Sequence, residues 1–253
     1  GYFDFADSSP YTGEAKGTGF AGKLGVTFKA NDKLTIGATY HSKTSMSDLK
    51  ASGAKVNMSV LYDADPAAMD GVGGGVNLME MPITMVGDMA VKDFQWPSTI
   101  ALGVAFQAND KLMIVADVKK INWSEVLKDF TMQFDATSIM MGPNDVTAMF
   151  AGMNATDMTA TMTQDWEDQT VIQVGAAYQV NNKATVRVGY NKSSNPIPDE
   201  TLNWLFPAVT QQAITLGAGY AINNSSSVDA SYNHVSQASG GKVNGFESIM
   251  SQG

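Results

Sequence analysis

A short phrase recurs four times along the chain and constrains its fold more than any other feature. Each copy has an apolar residue followed by Gly, then Phe or Tyr three positions before Asn, then Asp or Asn, and then Lys or Ser. Asn-Asp and Asn-Asn form tight turns, because their short side chains hydrogen-bond the local backbone and tolerate positive φ. Each copy therefore predicts a strand that ends in a tight turn. The four copies are LGVTFKANDK (24–33), LGVAFQANDK (102–111), VGAAYQVNNK (174–183) and LGAGYAINNS (216–225).

The residues around each turn alternate between apolar and polar, which is the pattern of a β-strand whose two faces meet different surroundings. After the first turn, Leu34, Ile36 and Tyr40 occupy even positions, whereas Thr35 and Thr39 occupy odd positions. The same parity continues in the segments around the other turns. The pattern predicts eight strands, at approximately 18–29, 34–45, 97–108, 111–123, 167–180, 184–191, 212–222 and 227–235.

The connections between the predicted strands are short at one end and long at the other. Tight turns join each hairpin, whereas residues 46–94, 124–164 and 192–211 form three long connections. This combination, with strands that are apolar on one face, is typical of an outer-membrane β-barrel. Because every backbone polar group in lipid must be paired, such strands have to close into a barrel. The predicted fold class is therefore all-β, an antiparallel transmembrane β-barrel with long extracellular loops and periplasmic turns.

Aromatic residues stand at two fixed places on the even parity, three positions before each turn Asn and nine positions after three of these Asn residues. About eight residues along a tilted strand rise on the order of 20 Å, which is close to the height of a lipid-facing band. The interpretation is an aromatic girdle at each rim; the alternative is that these rings fill the core of a soluble sandwich. The residues are Phe28, Phe106, Tyr178, Tyr220, Tyr40, Tyr190 and Tyr232.

Composition excludes several classes of function. The net charge is −9, and only one of the 16 basic residues is an arginine, which argues against a nucleic-acid partner. There is no cysteine, which is compatible with an oxidising periplasm or cell surface. His41 and His234 are the only histidines, and neither has a Cys or carboxylate at ligand spacing. No metal, no cofactor and no catalytic triad are predicted, so the chain is not expected to be an enzyme.

Four long stretches cover most of the chain outside the two longest connections: residues 17–43, 96–125, 166–200 and 216–234. In their order and spacing they resemble the FadL/TodX family of outer-membrane transporters of long-chain fatty acids and hydrocarbons. The resemblance implies a barrel of about fourteen strands with an N-terminal hatch. It makes residues 1–253 a single partial barrel domain, the C-terminal part without its last strand and without the hatch. It places the protein in the outer membrane of a Gram-negative bacterium, among outer-membrane lipid and lipopolysaccharide, as a monomer.

Methionine is concentrated in two of the long connections. Of the 16 methionines, seven lie in 46–94 and seven in 124–164. Unbranched thioethers form adaptable apolar surfaces that accept varied ligands, and the resemblance implies that the external loops capture the substrate. The alternative is that the two connections pack on each other as a lid. The residues predicted to contact ligand are Met79, Met81, Met85, Met140, Met141, Trp204 and Phe206.

Charged residues on the odd parity are candidates for the lumen of the barrel. Arg187, the single arginine, lies in the middle of a predicted strand, where its guanidinium could hold a carboxylate head group through two hydrogen bonds. The alternative is an ion pair with Asp117 or Asp229 that stabilises the barrel interior. Lys119 alternates with Asp117 on the same parity and is also predicted to contact ligand.

These observations predict passive outer-membrane transport of a hydrophobic small molecule, either long-chain fatty acids or aromatic hydrocarbons. Two other functions stay open on the sequence alone. One is a general porin for polar solutes, which the many Gly, Ala and Thr residues of the odd parity make less favoured. The other is a surface adhesin or structural barrel whose loops bind a host or a neighbouring cell.

Overall fold

The computed structural model describes residues 2–4, 15–63, 78–153, 156–203 and 211–236. Trp204 and Phe206 lie outside the described residues. No helix among the described residues is long and apolar enough to cross a membrane.

The described secondary structure is almost entirely strand. A single turn of 3-10 helix spans Trp123–Glu125, and the one α-helix of the described residues, α1, spans Thr147–Gly152. The strands are β1 (Tyr2–Asp4), β2 (Gly19–Phe20), β3 (Lys23–Lys29), β4 (Leu34–His41), β5 (Ser45–Met46), β6 (Leu49–Asp63), β7 (Leu78–Lys92), β8 (Thr99–Asn109), β9 (Leu112–Ile121), β10 (Asp129–Met141), β11 (Asn144–Asp145), β12 (Asp157–Thr163), β13 (Gln169–Gln179), β14 (Ala184–Ser193), β15 (Gln212–Asn223) and β16 (Ser226–Val235).

The sequence predicts one partial barrel domain, and in the structure the chain divides into two compact units. The repeat unit, which contains all four copies of the turn phrase, consists of 19–45, 95–129 and 162–253. The methionine-rich unit consists of 1–18, 46–94 and 130–161.

The repeat unit contains one antiparallel sheet of eight strands in the order β16-β15-β14-β13-β9-β8-β4-β3. These strands correspond one to one with the eight predicted from the sequence, so the predicted antiparallel β architecture is confirmed. Strands β3 and β16 are the two edges of this sheet, so it is not closed by the described residues.

The asparagine of the repeated phrase accepts two backbone hydrogen bonds in three of the four turns, and in the fourth Asn223 accepts one, from the Ser225 N–H at 2.9 Å. The Asn109 side-chain oxygen accepts hydrogen bonds from the backbone N–H groups of Lys111 and Leu112, at 2.9 and 3.1 Å. The corresponding asparagines, Asn31 and Asn181, accept the same two bonds from the residues two and three positions later. The phrase recurs because each hairpin needs an acceptor at this position to hold the chain reversal.

The two faces of the eight-stranded sheet differ as the parity predicts. Cross-strand register places Ile36 opposite Val104, on the even face. Leu102, on the same face, is 54% exposed although it lies in the middle of a strand. Apolar side chains that the protein does not cover are those expected to contact lipid.

The methionine-rich unit is a second antiparallel sheet, in the order β1-β6-β7-β10-β11, with β12 also paired to β10. The predicted connections 46–94 and 124–164 supply its long strands β6, β7 and most of β10, so their described residues are largely regular structure. Their position outside the membrane stays a prediction. Gly87 of β7 faces the bulge in β10, where an added Cβ would overlap the Asp135 backbone carbonyl.

Candidate functional site

One face of the methionine-rich unit's sheet is apolar across three strands. Met85 of β7 lies opposite Val56 of β6 and Ile139 of β10. Because side chains alternate along a strand, residues two positions apart on β7 share this face. The apolar face consists of Ala54, Val56, Met58 and Val60 of β6, Met79, Met81, Ile83, Met85 and Met89 of β7, and Phe134, Ala136, Ile139 and Met141 of β10.

The middle of the apolar face is a packed core. Met85 and Met89 are 7% and 6% exposed and belong to one buried cluster with Phe134 and Ile139. Phe150 of α1 packs against the same cluster. The two methionine-rich connections therefore pack on each other here, because β7 and β10 are paired strands. Met85 fills this core and is not accessible to a ligand in this conformation.

One end of the apolar face is open. Met81 lies directly opposite Val60, and Met79 precedes Met81 by two residues on β7, so its side chain is on the same face. Met79 and Val60 are 49% and 43% exposed, while Met81 is partly buried. We call Met79, Met81 and Val60 the open apolar patch.

Met140 and Met141 point to opposite faces of the sheet. Met141 lies opposite Ile83 and therefore belongs to the apolar face, whereas Met140 lies opposite Thr84. On that second face the Thr84 hydroxyl donates a hydrogen bond to the Asn57 side-chain oxygen at 3.0 Å. Of the five predicted methionines within the described residues, the structure places four on one face and leaves Met140 on the other.

Arg187 is paired with Asp229 on the odd face of the repeat unit. Its Nη1 donates to Asp229 Oδ1 at 2.9 Å, across the intervening strand β15. The bridge passes over Gly219, where a Cβ would overlap the Asp229 carboxylate. The two side chains are 50% and 60% exposed and border an open recess of about 300 Å³. Of the two acids that the sequence offers as partners for Arg187, Asp229 makes the pair.

Lys119 and Arg187 lie far apart on the odd face. Lys119 is in register with Val171, and Val171 is in register with Ser193 of β14. Ser193 is separated from Arg187 by six positions along β14, or about 20 Å. Asp117, two positions from Lys119, lines a different open recess of about 350 Å³. The structure therefore does not bring the two predicted cations together.

A tryptophan cluster at the end of the repeat unit opposite the tight turns was not predicted from the sequence; Trp166 in it is buried, whereas Trp96 is exposed. The Trp123 ring lies 5.1 Å from that of Trp166 and 6.2 Å from that of Trp96, measured between ring centroids. Gln164 is completely buried, and its side-chain oxygen accepts a hydrogen bond from the Asn203 amide at 3.2 Å. The available signal is that three of the chain's four tryptophans stand at or next to the ends of predicted strands.

Asp168 attaches this cluster to the end of β9. Its carboxylate accepts the Ser124 hydroxyl at 2.7 Å and lies 2.9 Å from the Lys120 ammonium. These contacts, the Ser124 hydrogen bond first, hold the pKa of the Asp168 carboxyl below its usual range. No group of three or more His, Cys, Asp or Glu side chains suited to a metal ion is found among the residues that the structure describes.

Comparison with protein families gives a match over nearly the whole chain. The family described as "Outer membrane protein transport protein (OMPP1/FadL/TodX)" matches residues 8–248. No curated protein is significantly similar to the chain.

Solved structures with the same fold are outer-membrane channels. The Pseudomonas putida toluene transporter TodX is 25% identical, with a TM-score of 0.59 over 85% of this chain and 43% of its own. The Ralstonia pickettii toluene transporter TbuX is 25% identical, with a TM-score of 0.56 over 83% of this chain and 41% of its own. A deltaS2 mutant of the TodX monoaromatic hydrocarbon channel is 26% identical, with a TM-score of 0.64 over 91% of this chain and 47% of its own. The chain spans less than half the length of each of these structures. Their similarity confirms the predicted fold class, an antiparallel transmembrane β-barrel.

Proposed function

The chain belongs to the OMPP1/FadL/TodX family of outer membrane transport proteins, and from this premise we propose that the whole protein admits small hydrophobic compounds through its barrel. It acts in the outer membrane of a Gram-negative bacterium, as a monomer, a transport channel and not an enzyme. Transport is passive: the compound moves down its own concentration gradient, without a cofactor.

The observation that carries this proposal is the open apolar patch. An apolar strand face that leaves Met79 and Val60 half exposed beside a packed methionine core offers a surface to which a hydrophobic compound can bind. We propose that Met79, Met81 and Met141 make the first contacts, since they share this face, and that Met85 supports them from the core. Met140 is expected to make none.

For the substrate we propose neutral aromatic hydrocarbons ahead of fatty acids. Thioether sulfur makes favourable contacts with aromatic ring edges, of roughly 0.3–1.5 kcal/mol each. Two of the similar structures are named as toluene transporters. The charge of Arg187, the residue best suited to a carboxylate, is offset by Asp229 at 2.9 Å.

The test is a transport assay of the full-length protein in liposomes. We expect toluene to enter protein-containing liposomes faster than control liposomes, oleate to enter more slowly than toluene, and sucrose not to cause swelling. Rapid swelling with sucrose and no protein-dependent toluene entry would identify a general porin. Faster entry of oleate than of toluene would reverse the proposed substrate order.

One matched pair of variants and one single variant test the binding residues. Met141→Ser is expected to weaken toluene binding several-fold, because it removes an apolar contact from the sheet face that carries the open apolar patch. Met140→Ser makes the same chemical change on the other face and serves as the matched control. Arg187→Ala is expected to affect oleate and toluene equally, because the arginine is already paired with Asp229. A selective loss of oleate transport in this variant would show that Arg187 holds a carboxylate head group, and the same result in Lys119→Ala would show it for Lys119.

A further inference from the structure

Outward-facing charges occur at one end only of the eight-stranded sheet. On the even, apolar face, the described strand residues include just two lysines and no arginine, aspartate or glutamate. These are Lys120 of β9 and Lys192 of β14, and both lie at the end of their strand away from the tight turns.

Cross-strand register brings the two lysines near each other. Lys120 lies opposite Thr170 of β13, and Lys192 lies opposite Ile172 of the same strand. The two lysines are thus two strands apart and offset by two residues, a Cα separation on the order of 12 Å. Long flexible lysine side chains at that separation can converge on one anion between them.

Lys192 stands where the apolar band changes to a polar rim. Its cross-strand neighbour is Gln212, whose side-chain oxygen accepts the Tyr190 hydroxyl at 3.3 Å. The next outward-facing residue of β15 along the sheet is Ile214, which is 48% exposed. An aromatic ring with a hydrogen-bonded hydroxyl beside a cation is the arrangement found at the level of lipid headgroups.

One of the two lysines is paired with an acid and the other is not. Lys120 is held by Asp168, 2.9 Å away. Lys192 is exposed and forms no ion pair with any residue that the structure describes. Lys192 therefore supplies the unbalanced positive charge, and Lys120 is an anchored donor beside it.

We propose that Lys192 and Lys120 bind a phosphate group of lipopolysaccharide, the phosphorylated glycolipid of the outer leaflet. A lysine on the lipid side of a barrel is least costly at headgroup level, and an anionic headgroup complements it electrostatically. In a chain of net charge −9, the two charged residues within the described strands of the outward face are both lysines, and Lys192 is unpaired among the described residues, so this rim favours an anion. The inference rests on the orientation with the tight turns in the periplasm, and it is independent of the transported compound.

The experiment measures binding of bisphosphorylated lipid A to the full-length protein in detergent micelles, with native mass spectrometry as the readout. Lys192→Gln combined with Lys120→Gln is expected to weaken binding about fivefold or more. Lys183→Gln removes the same charge from the tight turn of the same β13–β14 hairpin and is expected to leave binding unchanged. Dephosphorylated lipid A is expected to bind all variants equally and weakly.

Three results would overturn the proposal. One is unchanged lipid A binding in the double variant, and another is an equal loss in Lys183→Gln, which would mean that only overall charge matters. The third is competition by millimolar inorganic phosphate, which would indicate a free-anion site in place of a lipid site. A folded barrel migrates differently on a gel before and after heating, and this difference identifies the variants that fold. If the double variant does not fold, the single variant Lys192→Gln is tested in its place, with the same expected and contradicting results.

Discussion

The repeat unit and the methionine-rich unit are both antiparallel sheets, but the apolar face of the first is exposed and that of the second is largely buried. On these faces, Leu102 in the repeat unit is 54% exposed and Met85 in the methionine-rich unit is 7% exposed. Alternation of apolar and polar residues therefore reports that a strand has two unlike faces. It does not report whether the apolar face meets lipid or protein.

Side-chain type differs between the two apolar faces for a physical reason. The repeat unit presents mainly Ile, Val, Leu and Tyr, which fit a pleated surface and need only an apolar solvent next to them. The methionine-rich unit must fill an irregular space between two segments of the chain, and unbranched Met adapts to such gaps. The first face depends on apolarity, and the second also depends on shape.

Truncating a core methionine is expected to give the largest effect. Met85→Ala should lower the free energy of local unfolding of β6, β7 and β10 by about 2–5 kcal/mol, because it leaves a cavity in the buried cluster. Hydrogen exchange of the full-length protein, read by mass spectrometry, measures this opening. Met79→Ala, at a residue that is 49% exposed, is the control and should change exchange little. Equal protection loss in both variants would show that Met85 is not part of a packed core.

Adding volume to the same kind of position in each unit tests the role of shape directly. Ala54, in the core of the methionine-rich unit, is 1% exposed, whereas Ala218 lies on the outward face of β15 and is exposed. Ala54→Leu is expected to destabilise its sheet by about 1–3 kcal/mol through overpacking. Ala218→Leu should have almost no effect on urea unfolding in micelles, because lipid or detergent accommodates the longer chain. A larger effect at Ala218 would contradict the contrast drawn between the two faces.

A smaller loss of stability is expected from changing a turn asparagine of the repeat unit, which acts through hydrogen bonds and not through packing. Asn109→Ala removes the acceptor of two backbone hydrogen bonds, at 2.9 and 3.1 Å, and should destabilise the β8–β9 hairpin by about 1 kcal/mol. Asp110→Ala changes the next residue of the same turn and is the matched control. Faster exchange at the amides of Lys111 and Leu112 in the first variant alone is the expected result.

The smallest expected effect concerns pH. The pKa of Asp168 is lowered chiefly by the Ser124 hydroxyl and then by Lys120, so its charged form stabilises the folded state. That contribution is complete above the unfolded pKa, near 3.8, and is lost as the pH falls through the lower folded pKa. Asp168→Asn should therefore flatten the dependence of Trp123 fluorescence on pH in the acid range. An unchanged acid transition would mean that the carboxylate does not hold this cluster.

Much of the repeat unit is predictable because its signals are local. The Asn of each turn, the parity of each strand and the aromatic three positions before each Asn involve residues close together in sequence. The strands of the methionine-rich unit lie in segments that the sequence predicts as loops, because these segments separate successive hairpins, yet Met79, Met81 and Met85 share one parity that indicates a strand. What the sequence does not indicate is that β7 pairs with β10, some fifty positions away along the chain.

Sequence alone determined the eight hairpin strands, the composition of their two faces and the position of the chain in a family of outer membrane transport proteins. Tertiary structure alone decided that Met85 is core while Met79 is accessible, that Met140 and Met141 face opposite ways, and that Asp229 is the partner of Arg187. The physical reason is the difference between periodicity and register. Periodicity is carried by each strand's own residues, whereas a side chain's neighbours depend on which strand lies beside it and at what offset.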